Sequence, residues 1–273
     1  MRKKWMTLVL TAVLVFTLSG CDLIQTVQGP DLEKPVFVKM LVYADDMDVD
    51  LYYICNDDWE KTISKVEIPN ARKGVDCTVY DEEVDYDGKY NIVTAHIGVN
   101  DDNWSDENGL PEDISITDLN ITWSDGSKTT EDLGQIVIAK EDIDYDTIDE
   151  DGSSEEGEDY YFSLKPVKKR TEITGLEVPF KDLRKVMSDV YINEKPLSEI
   201  SFKHPLVLEA GESCEVSIVM DTYKAPEYGE ISAACKLLMK SGAKEVKYTN
   251  IFVNERFGFY ENAADYLKAV LKD

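Results

Sequence analysis

The sequence predicts a mainly β protein that folds as two antiparallel β-sandwich domains with a C-terminal helix. Three observations support this fold class. Short runs of β-branched and aromatic residues recur along the chain, turn clusters rich in Gly, Asp and Ser separate them, and the last residues change to a helical period. Many short strands with regular turns between them are typical of antiparallel sandwiches.

The N-terminal segment carries an export signal. Residues 2–4 are basic, and an apolar run of about 14 residues follows, which is shorter than the roughly 20 residues that a membrane-spanning helix needs. The run ends in Leu18-Ser19-Gly20-Cys21. These four residues resemble the lipobox of bacterial lipoproteins, in which a Leu and two small residues precede a Cys that becomes acylated.

The lipobox resemblance implies that residues 1–20 are a cleaved signal peptide and that Cys21 carries a diacylglycerol, with palmitate among its acyl chains. Each buried methylene contributes about 0.8 kcal/mol, so two acyl chains would hold the mature chain on the membrane. We therefore expect a lipid-anchored protein on the extracytoplasmic face of the cell membrane, with residues 21–34 as a tether. An ordinary secretory signal or an uncleaved anchor is the alternative.

The chain is strongly acidic, because 55 Asp and Glu residues against 29 Lys and Arg residues give a formal net charge of −26. Removal of residues 1–20 would lower this charge to about −29. Nucleic acid and anionic lipid headgroups repel such a chain, which excludes a nucleic-acid partner. The apolar content of 43% argues against a disordered tail, and the length suits two domains.

The first sandwich is predicted over residues 35–140. Its strand signals include residues 36–43, 49–55 and 90–99, which are rich in β-branched and aromatic side chains. Residues 124–127 separate two further strand signals, so this segment predicts a hairpin in which Gly126 supplies the positive φ.

An acidic linker is predicted over residues 141–164, because eleven of the 19 residues from 141 to 159 are acidic. A second interpretation is a calcium site. Asp149, Asp151 and Glu158 fall at the third, fifth and twelfth positions of an EF-hand loop. The first position is Thr147 instead of Asp, and no amphipathic helix flanks the segment. We therefore expect a linker first, and calcium is the one cofactor that the sequence suggests.

The second sandwich is predicted over residues 165–273, including a C-terminal helix. Ala263, Tyr266 and Leu267 fall on one face of a helical period that runs from 262 to 272. A strand, the turn at residues 211–213 and a second strand from Cys214 resemble the immunoglobulin-like sandwiches of extracellular bacterial lipoproteins. This resemblance implies a fold and no activity, because such sandwiches host unrelated functions.

Four cysteines remain after Cys21, and two fall in each half of the chain. Cys55 and Cys77 lie in the first half, and Cys214 and Cys235 lie in the second. Export permits disulfides, and an even cysteine count in an extracellular protein favours them. Four reduced thiols packed in the core are the alternative. The absence of a Cys-x-x-Cys motif argues against a cysteine metal site.

Catalytic signals are poor, so we expect a protein that is not an enzyme. A serine nucleophile needs a histidine base, but His96 alternates within a strand signal and His204 precedes a proline at a turn. A glycan-active hydrolase of the cell envelope that uses a carboxylate pair remains an alternative. A calcium-dependent adhesion module is another.

By exclusion, the sequence predicts an extracytoplasmic binding or accessory protein. Its expected partners are the membrane, through the lipid on Cys21, and an envelope protein or glycan. Exposed aromatic side chains could stack on sugars or anchor a partner protein. The aromatic candidates for such platforms are Tyr52, Tyr53, Trp59, Trp104, Tyr160 and Tyr161.

Overall fold

The computed structural model describes residues 29–44, 46–105, 109–140, 148–156, 159–166, 169–256 and 263–271. The predicted signal peptide and Cys21 lie outside these residues. The described strands form three sheets, and a short helix lies near the C-terminus, so the mainly β class and the C-terminal helix are confirmed. Among the described residues, no helix is long and apolar enough to cross a membrane.

The first sheet has four antiparallel strands, and its two central strands are largely buried. Its strands, in spatial order, are β1 (Val36–Phe37), β3 (Asp48–Asn56), β6 (Tyr90–Asp101) and β5 (Val75–Asp87). Consecutive residues 51–55 of β3 are all buried. A strand that is buried on both faces lacks the alternation of a half-exposed strand, so the predicted strand at 49–55 is present.

The second sheet joins the two halves of the chain. Its strands, in spatial order, are β14 (Leu206–Leu208), β11 (Thr171–Glu177), β16 (Tyr228–Ser241), β2 (Lys39–Ala44), β8 (Lys128–Ile138), β7 (Ile114–Trp123) and β4 (Ile63–Glu67), and β17 (Lys244–Arg256) also pairs with β16. Strand β2 runs parallel to both β16 and β8. The halves therefore share one sheet, which differs from the expected pair of separate sandwiches.

The third sheet belongs to the second half of the chain. Its strands, in spatial order, are β13 (Lys195–Pro196), β12 (Met187–Ile192), β15 (Cys214–Met220), β10 (Asp159–Pro166) and β9 (Ile148–Glu156). Helix α1 (Lys181–Val186) leads directly into β12. In β15, Cys214, Val216 and Ile218 are buried and alternate with more exposed residues, as the sequence predicted.

Strands β9 and β10 occupy residues of the segment that was predicted as an acidic linker. Strands β9 and β10 pair antiparallel, with Asp149 opposite Lys165. The register shifts between Glu150, opposite Leu164, and Gly152, opposite Ser163, so Asp151 lies at an irregularity of the strand. Strand β9 is acidic because it is the edge strand, where charges oppose further pairing. Glu158 lies outside the described residues.

Two clusters of buried residues form the interior. The first core lies between the first sheet and strands β4, β7 and β8, and the second core lies between the third sheet and strands β11, β16 and β17. Helix α2 (Ala263–Val270) packs on the first core, although it follows the second half in sequence. The amide of Ala263 donates to Asp87 (2.7 Å), and the hydroxyl of Tyr266 donates to the Glu227 carbonyl (3.2 Å).

Candidate functional site

A cleft of about 660 Å³ opens where the first core reaches the surface. We call it the Trp59 cleft. Three separate chain segments form it: the segment before β1, the connection between β3 and β4, and the turn between β7 and β8. Its lining residues are Leu32, Asn56, Asp58, Trp59, Glu60, Lys61, Ser124 and Asp125.

Hydrogen bonds fix these three segments to one another. The amide side chain of Asn56 donates to the Leu32 carbonyl (2.9 Å) and accepts from the Leu32 amide (3.1 Å). The backbone amide of Ser124 donates to the Thr62 carbonyl (2.9 Å), and its hydroxyl accepts from the Thr62 amide (3.2 Å). The cleft therefore has a preformed backbone, which lowers the entropic cost of binding a ligand.

The turn between β7 and β8 follows the prediction made for residues 124–127. Gly126 has φ +81°, and its amide donates to the Trp123 carbonyl (2.9 Å). The Asp125 carboxylate accepts hydrogen bonds from the amide (2.9 Å) and the hydroxyl (2.5 Å) of Ser127. One oxygen of Asp125 is thus fixed within the turn, and the other faces Lys61.

Trp59 joins the cleft to the interior. Its ring meets Trp123 edge to face, with 5.5 Å between centroids, and Trp123 in turn packs edge to face on Tyr53 at 5.7 Å. The indole nitrogen Nε1 of Trp59 is buried and has no hydrogen-bond partner among the described residues. The ring is therefore held by packing, and its orientation depends on Trp123.

Lys61 lies between an aromatic ring and a carboxylate. Its Nζ is 5.0 Å from the centroid of the Trp59 ring and 2.8 Å from Oδ2 of Asp125. The hydrogen bonds from Lys61 and Ser127 hold the pKa of Asp125 well below its ordinary value, so the carboxylate is charged at neutral pH. A cation over an indole face is attracted by the ring quadrupole.

Two further carboxylates stand at the rim of the cleft. Asp58 and Glu60 are exposed, and neither forms an ion pair or a side-chain hydrogen bond with another residue in the described part of the chain. Because Lys61 is matched by Asp125, the rim keeps an excess of negative charge.

The structure separates the aromatic residues that the sequence proposed as binding platforms. Tyr52, Tyr53 and Tyr160 are buried, and Tyr161 is half-buried. Trp104 is 47% exposed but does not line the cleft. Of the six candidates, only Trp59 is both partly exposed and part of the lining of the cleft. Sequence reasoning missed Lys61 and Asp125, since only the fold brings the β7–β8 turn beside the β3–β4 connection.

His96 lies in β6, as predicted, and pairs with a carboxylate on the neighbouring strand. Its Nδ1 is 2.7 Å from Oδ1 of Asp50, which stands directly opposite it on β3. That hydrogen bond, helped by the charges of Asp50, Asp81 and Glu83, raises the pKa of His96. His204 occupies an exposed turn next to Pro205, also as predicted.

The four described cysteines are free thiols in the structure. Cys55 lies opposite Asn91 and Cys77 opposite Val99, so β6 stands between them and they are offset along it by eight residues. At about 3.3 Å per residue this offset is far beyond the reach of a disulfide. Cys214 and Cys235 belong to different sheets of the second core. Burial raises the pKa of the Cys55, Cys77, Cys214 and Cys235 thiols to about 12.

In the described ranges, no group of three or more His, Cys, Asp or Glu side chains is arranged to hold a metal ion. The carboxylates that the sequence offered for calcium, Asp149 and Asp151, lie in strand β9.

Comparison with known proteins gives distant structural matches. No family model and no curated protein sequence matches the chain. A secreted serine protease, VesC from Vibrio cholerae, is 8% identical with a TM-score of 0.24, over 80% of this chain and 49% of the protease. A membrane anchored protein from Corynebacterium diphtheriae is 10% identical with a TM-score of 0.18, over 79% of this chain and 52% of the other. The chain spans about half the length of each.

The first match corrects the expectation that the chain is not an enzyme, because a secreted protease stands among its structural neighbours. At a TM-score of 0.24, the match assigns neither a protease fold nor catalytic residues to this chain. The expectation of a protein without catalytic activity is therefore withdrawn.

Proposed function

We propose that this chain is a lipid-anchored protein of the extracytoplasmic face of the cell membrane and that it binds an envelope ligand in the Trp59 cleft. The expected ligand classes are a glycan and a segment of a partner protein. The observation that carries the proposal is the cleft itself, in which an indole ring is surrounded by charged and hydrogen-bonding side chains.

The chemistry of the cleft suits a ligand with an apolar face and a polar edge. An aromatic ring contributes contact area at low entropic cost, and a few fixed polar groups set the orientation of the ligand. Trp59 supplies the ring, and Asp58, Glu60 and Lys61 supply the polar groups. Both sugars and protein side chains present such surfaces.

The anchoring part of the proposal rests on the lipobox residues that end in Cys21. The proposal also includes an immunoglobulin-like form for the sandwich. The strand–turn–strand pattern around residues 206–218 supports this form, because it agrees with strands β14 and β15.

Ligand binding is tested with the soluble Cys21→Ala protein and a panel of envelope glycan fragments and peptides, followed by tryptophan fluorescence and calorimetry. Trp59→Phe keeps a ring against Trp123 but removes the indole, and we expect it to weaken binding about 10-fold. Trp104→Phe is the matched control, since Trp104 is exposed outside the cleft. Equal losses in both variants, or a loss in neither, would contradict the assignment of the site.

Anchoring is tested separately by metabolic labelling with a palmitate analogue. We expect the label and membrane association in the unchanged chain and the loss of both in Cys21→Ala. A labelled Cys21→Ala protein, or an unlabelled wild type that stays on the membrane, would show that another feature holds the chain there.

A further inference from the structure

We propose that the Trp59 cleft binds an organic cation. In the free protein, the ammonium group of Lys61 occupies the position that the cationic group of the ligand takes when it binds. This inference rests on the proposed function, because it names the class of ligand for the same cleft. The candidate ligands share one chemistry, an alkylammonium group attached to a short apolar chain.

The place of the Lys61 ammonium has the features of a cation site. It is bounded by the Trp59 ring at 5.0 Å and by the Asp125 carboxylate at 2.8 Å. An aromatic face with a nearby carboxylate is the arrangement that binds alkylammonium groups. Asp125 keeps its orientation without Lys61, because its other oxygen is held by Ser127.

A ligand can displace the Lys61 side chain from this position. Its side chain is 38% exposed and that of Asp125 is 43% exposed, so the pair is in contact with solvent. Exposed ion pairs and exposed cation–π contacts each stabilise a fold only weakly. A ligand ammonium can therefore replace the lysine, whose long flexible side chain can turn into solvent.

The remaining charges of the cleft favour a cation over a neutral or anionic ligand. Asp58 and Glu60 add two carboxylates for which no cationic partner exists among the described residues. The net charge of the chain, −26, produces a field that attracts cations and repels anions. Leu32 offers an apolar wall for the methylene or methyl groups of the ligand.

The role of Lys61 separates this proposal from neutral glycan binding. A sugar would use the lysine as a hydrogen-bond donor, so removal of the ammonium would weaken sugar binding. A ligand cation competes with the lysine, so removal of the ammonium should strengthen cation binding. The two ligand classes thus predict changes of opposite sign for one substitution.

The experiment measures binding of choline, and of its uncharged carbon isostere dimethylbutanol, to the soluble Cys21→Ala protein without residues 1–20. Titrations use NMR of the tryptophan indoles together with calorimetry. Lys61→Met keeps the apolar stem, and we expect it to bind choline about 3- to 10-fold more tightly. Asp125→Asn and the double variant Asp58→Asn/Glu60→Gln should each bind choline several-fold more weakly, and added salt should weaken all choline binding.

Near-ultraviolet circular dichroism and melting temperature serve as folding controls, because they report on the packing of Trp59 against Trp123. Weaker choline binding by a folded Lys61→Met protein would overturn the proposal, and so would equal binding of choline and dimethylbutanol. If glycans bind with dependence on Trp59 but choline does not, the cation proposal fails and the proposed function stands. If no ligand perturbs Trp59, both fail.

Discussion

The two cores of this protein differ in how their side chains are connected. In the first core, ring contacts of 5.2 to 5.7 Å connect Phe37, Tyr53, Trp123 and Trp59 in a continuous series that reaches the surface at the cleft. The second core consists mainly of aliphatic residues, and among the described residues Phe180 and Tyr43 form a ring contact at its margin. Aliphatic side chains fill volume without orientation, whereas contacting rings have preferred geometries. The first core can therefore position a surface residue.

Hydrogen-bonded carboxylates hold aromatic residues at both cores. At the first core, Glu82 accepts hydrogen bonds from the Tyr53 hydroxyl (2.9 Å) and from the Ile63 amide (3.1 Å), so a carboxylate links an aromatic residue to the start of β4. At the second core, Asp182 accepts a hydrogen bond from the Tyr228 hydroxyl (2.9 Å), which links β16 to helix α1. The two cores therefore differ in their ring contacts and not in the kind of polar group at their edges.

The largest expected effect comes from Trp123→Ala, which removes the ring that supports Trp59. We expect a loss of about 4 kcal/mol in the free energy of unfolding and no measurable binding in the cleft. The matched change in the second core is Leu237→Ala, which should cost about 3 kcal/mol and leave binding unchanged. Urea unfolding and ligand titration of both variants make the comparison. Loss of binding in a folded Leu237→Ala protein would show that both cores control the cleft.

The next effect concerns the charged pair beside the first core. Arg72 forms an ion pair with Asp101, whose side chain is fully buried, and its Nε is 3.2 Å from Glu112. Arg72→Met leaves the Asp101 carboxylate without its cation, and we expect a loss of about 2–3 kcal/mol at neutral pH. Arg170→Met is the control in the second half, since Arg170 pairs with Glu172 at an exposed site and should cost less than about 0.5 kcal/mol.

The Arg72 effect should depend on pH in a defined direction. Burial raises the pKa of Asp101, but hydrogen bonds from Asn103 and Arg72 lower it by more, so its pKa lies below the ordinary value. A lowered pKa gives stability that is present above about pH 4 and is lost as the pH falls through the folded-state value. The difference between wild type and Arg72→Met should therefore shrink in acid. A difference that is constant between about pH 7 and pH 3 would contradict this account.

Local patterns predicted much of this fold. The turn around Gly126, the alternation that follows Cys214 and the helix from Ala263 were predicted because each depends on neighbours within a few residues. The parallel pairing of β2 with β16 was not, because nothing near β2 shows that its partner lies almost two hundred residues away. Strand β9 was missed because its acidic residues are typical of linkers, and only its pairing with β10 makes it a strand.

The cleft was predicted in part. Trp59 was one of six aromatic candidates, and only the fold showed which of the six were buried. Asp125 was noted only as a turn residue. Its second role, holding Lys61 over an indole, requires two segments more than sixty residues apart to meet. Such a contact leaves no local periodicity from which it could be inferred.

Cysteine substitutions compare the cores on a smaller scale. Cys235 is fully buried in the second core, and Cys235→Ser should cost about 1–2 kcal/mol, because a hydroxyl loses its hydration there. Cys77 is half-buried beside the first core, and Cys77→Ser should cost about 0.5 kcal/mol. Thiol titration should count all four described cysteines in the unfolded Cys21→Ala protein. Equal losses above about 2 kcal/mol for Cys214→Ser and Cys235→Ser, with two thiols missing, would instead indicate a disulfide between them.

The smallest effect is expected at the half-buried pair of His96 and Asp50. The hydrogen bond to Asp50 raises the pKa of His96 in the folded state, so the pair stabilises the fold below the unfolded-state pKa of about 6.5. That stabilisation is lost as the pH rises through the folded-state pKa. Asp50→Asn should therefore lower the free energy of unfolding by about 0.5 kcal/mol near pH 5 and by almost nothing near pH 9.

Proton NMR of the His96 imidazole measures the interaction with Asp50 directly. Asp50→Asn should lower the pKa of His96, because the carboxylate that favours the charged imidazole is removed. An unchanged His96 titration would mean that Asp81 and Glu83 on β5 supply the field, and Asp81→Asn would then produce the shift. Either result shows which neighbouring strand, β3 or β5, sets the charge of this histidine.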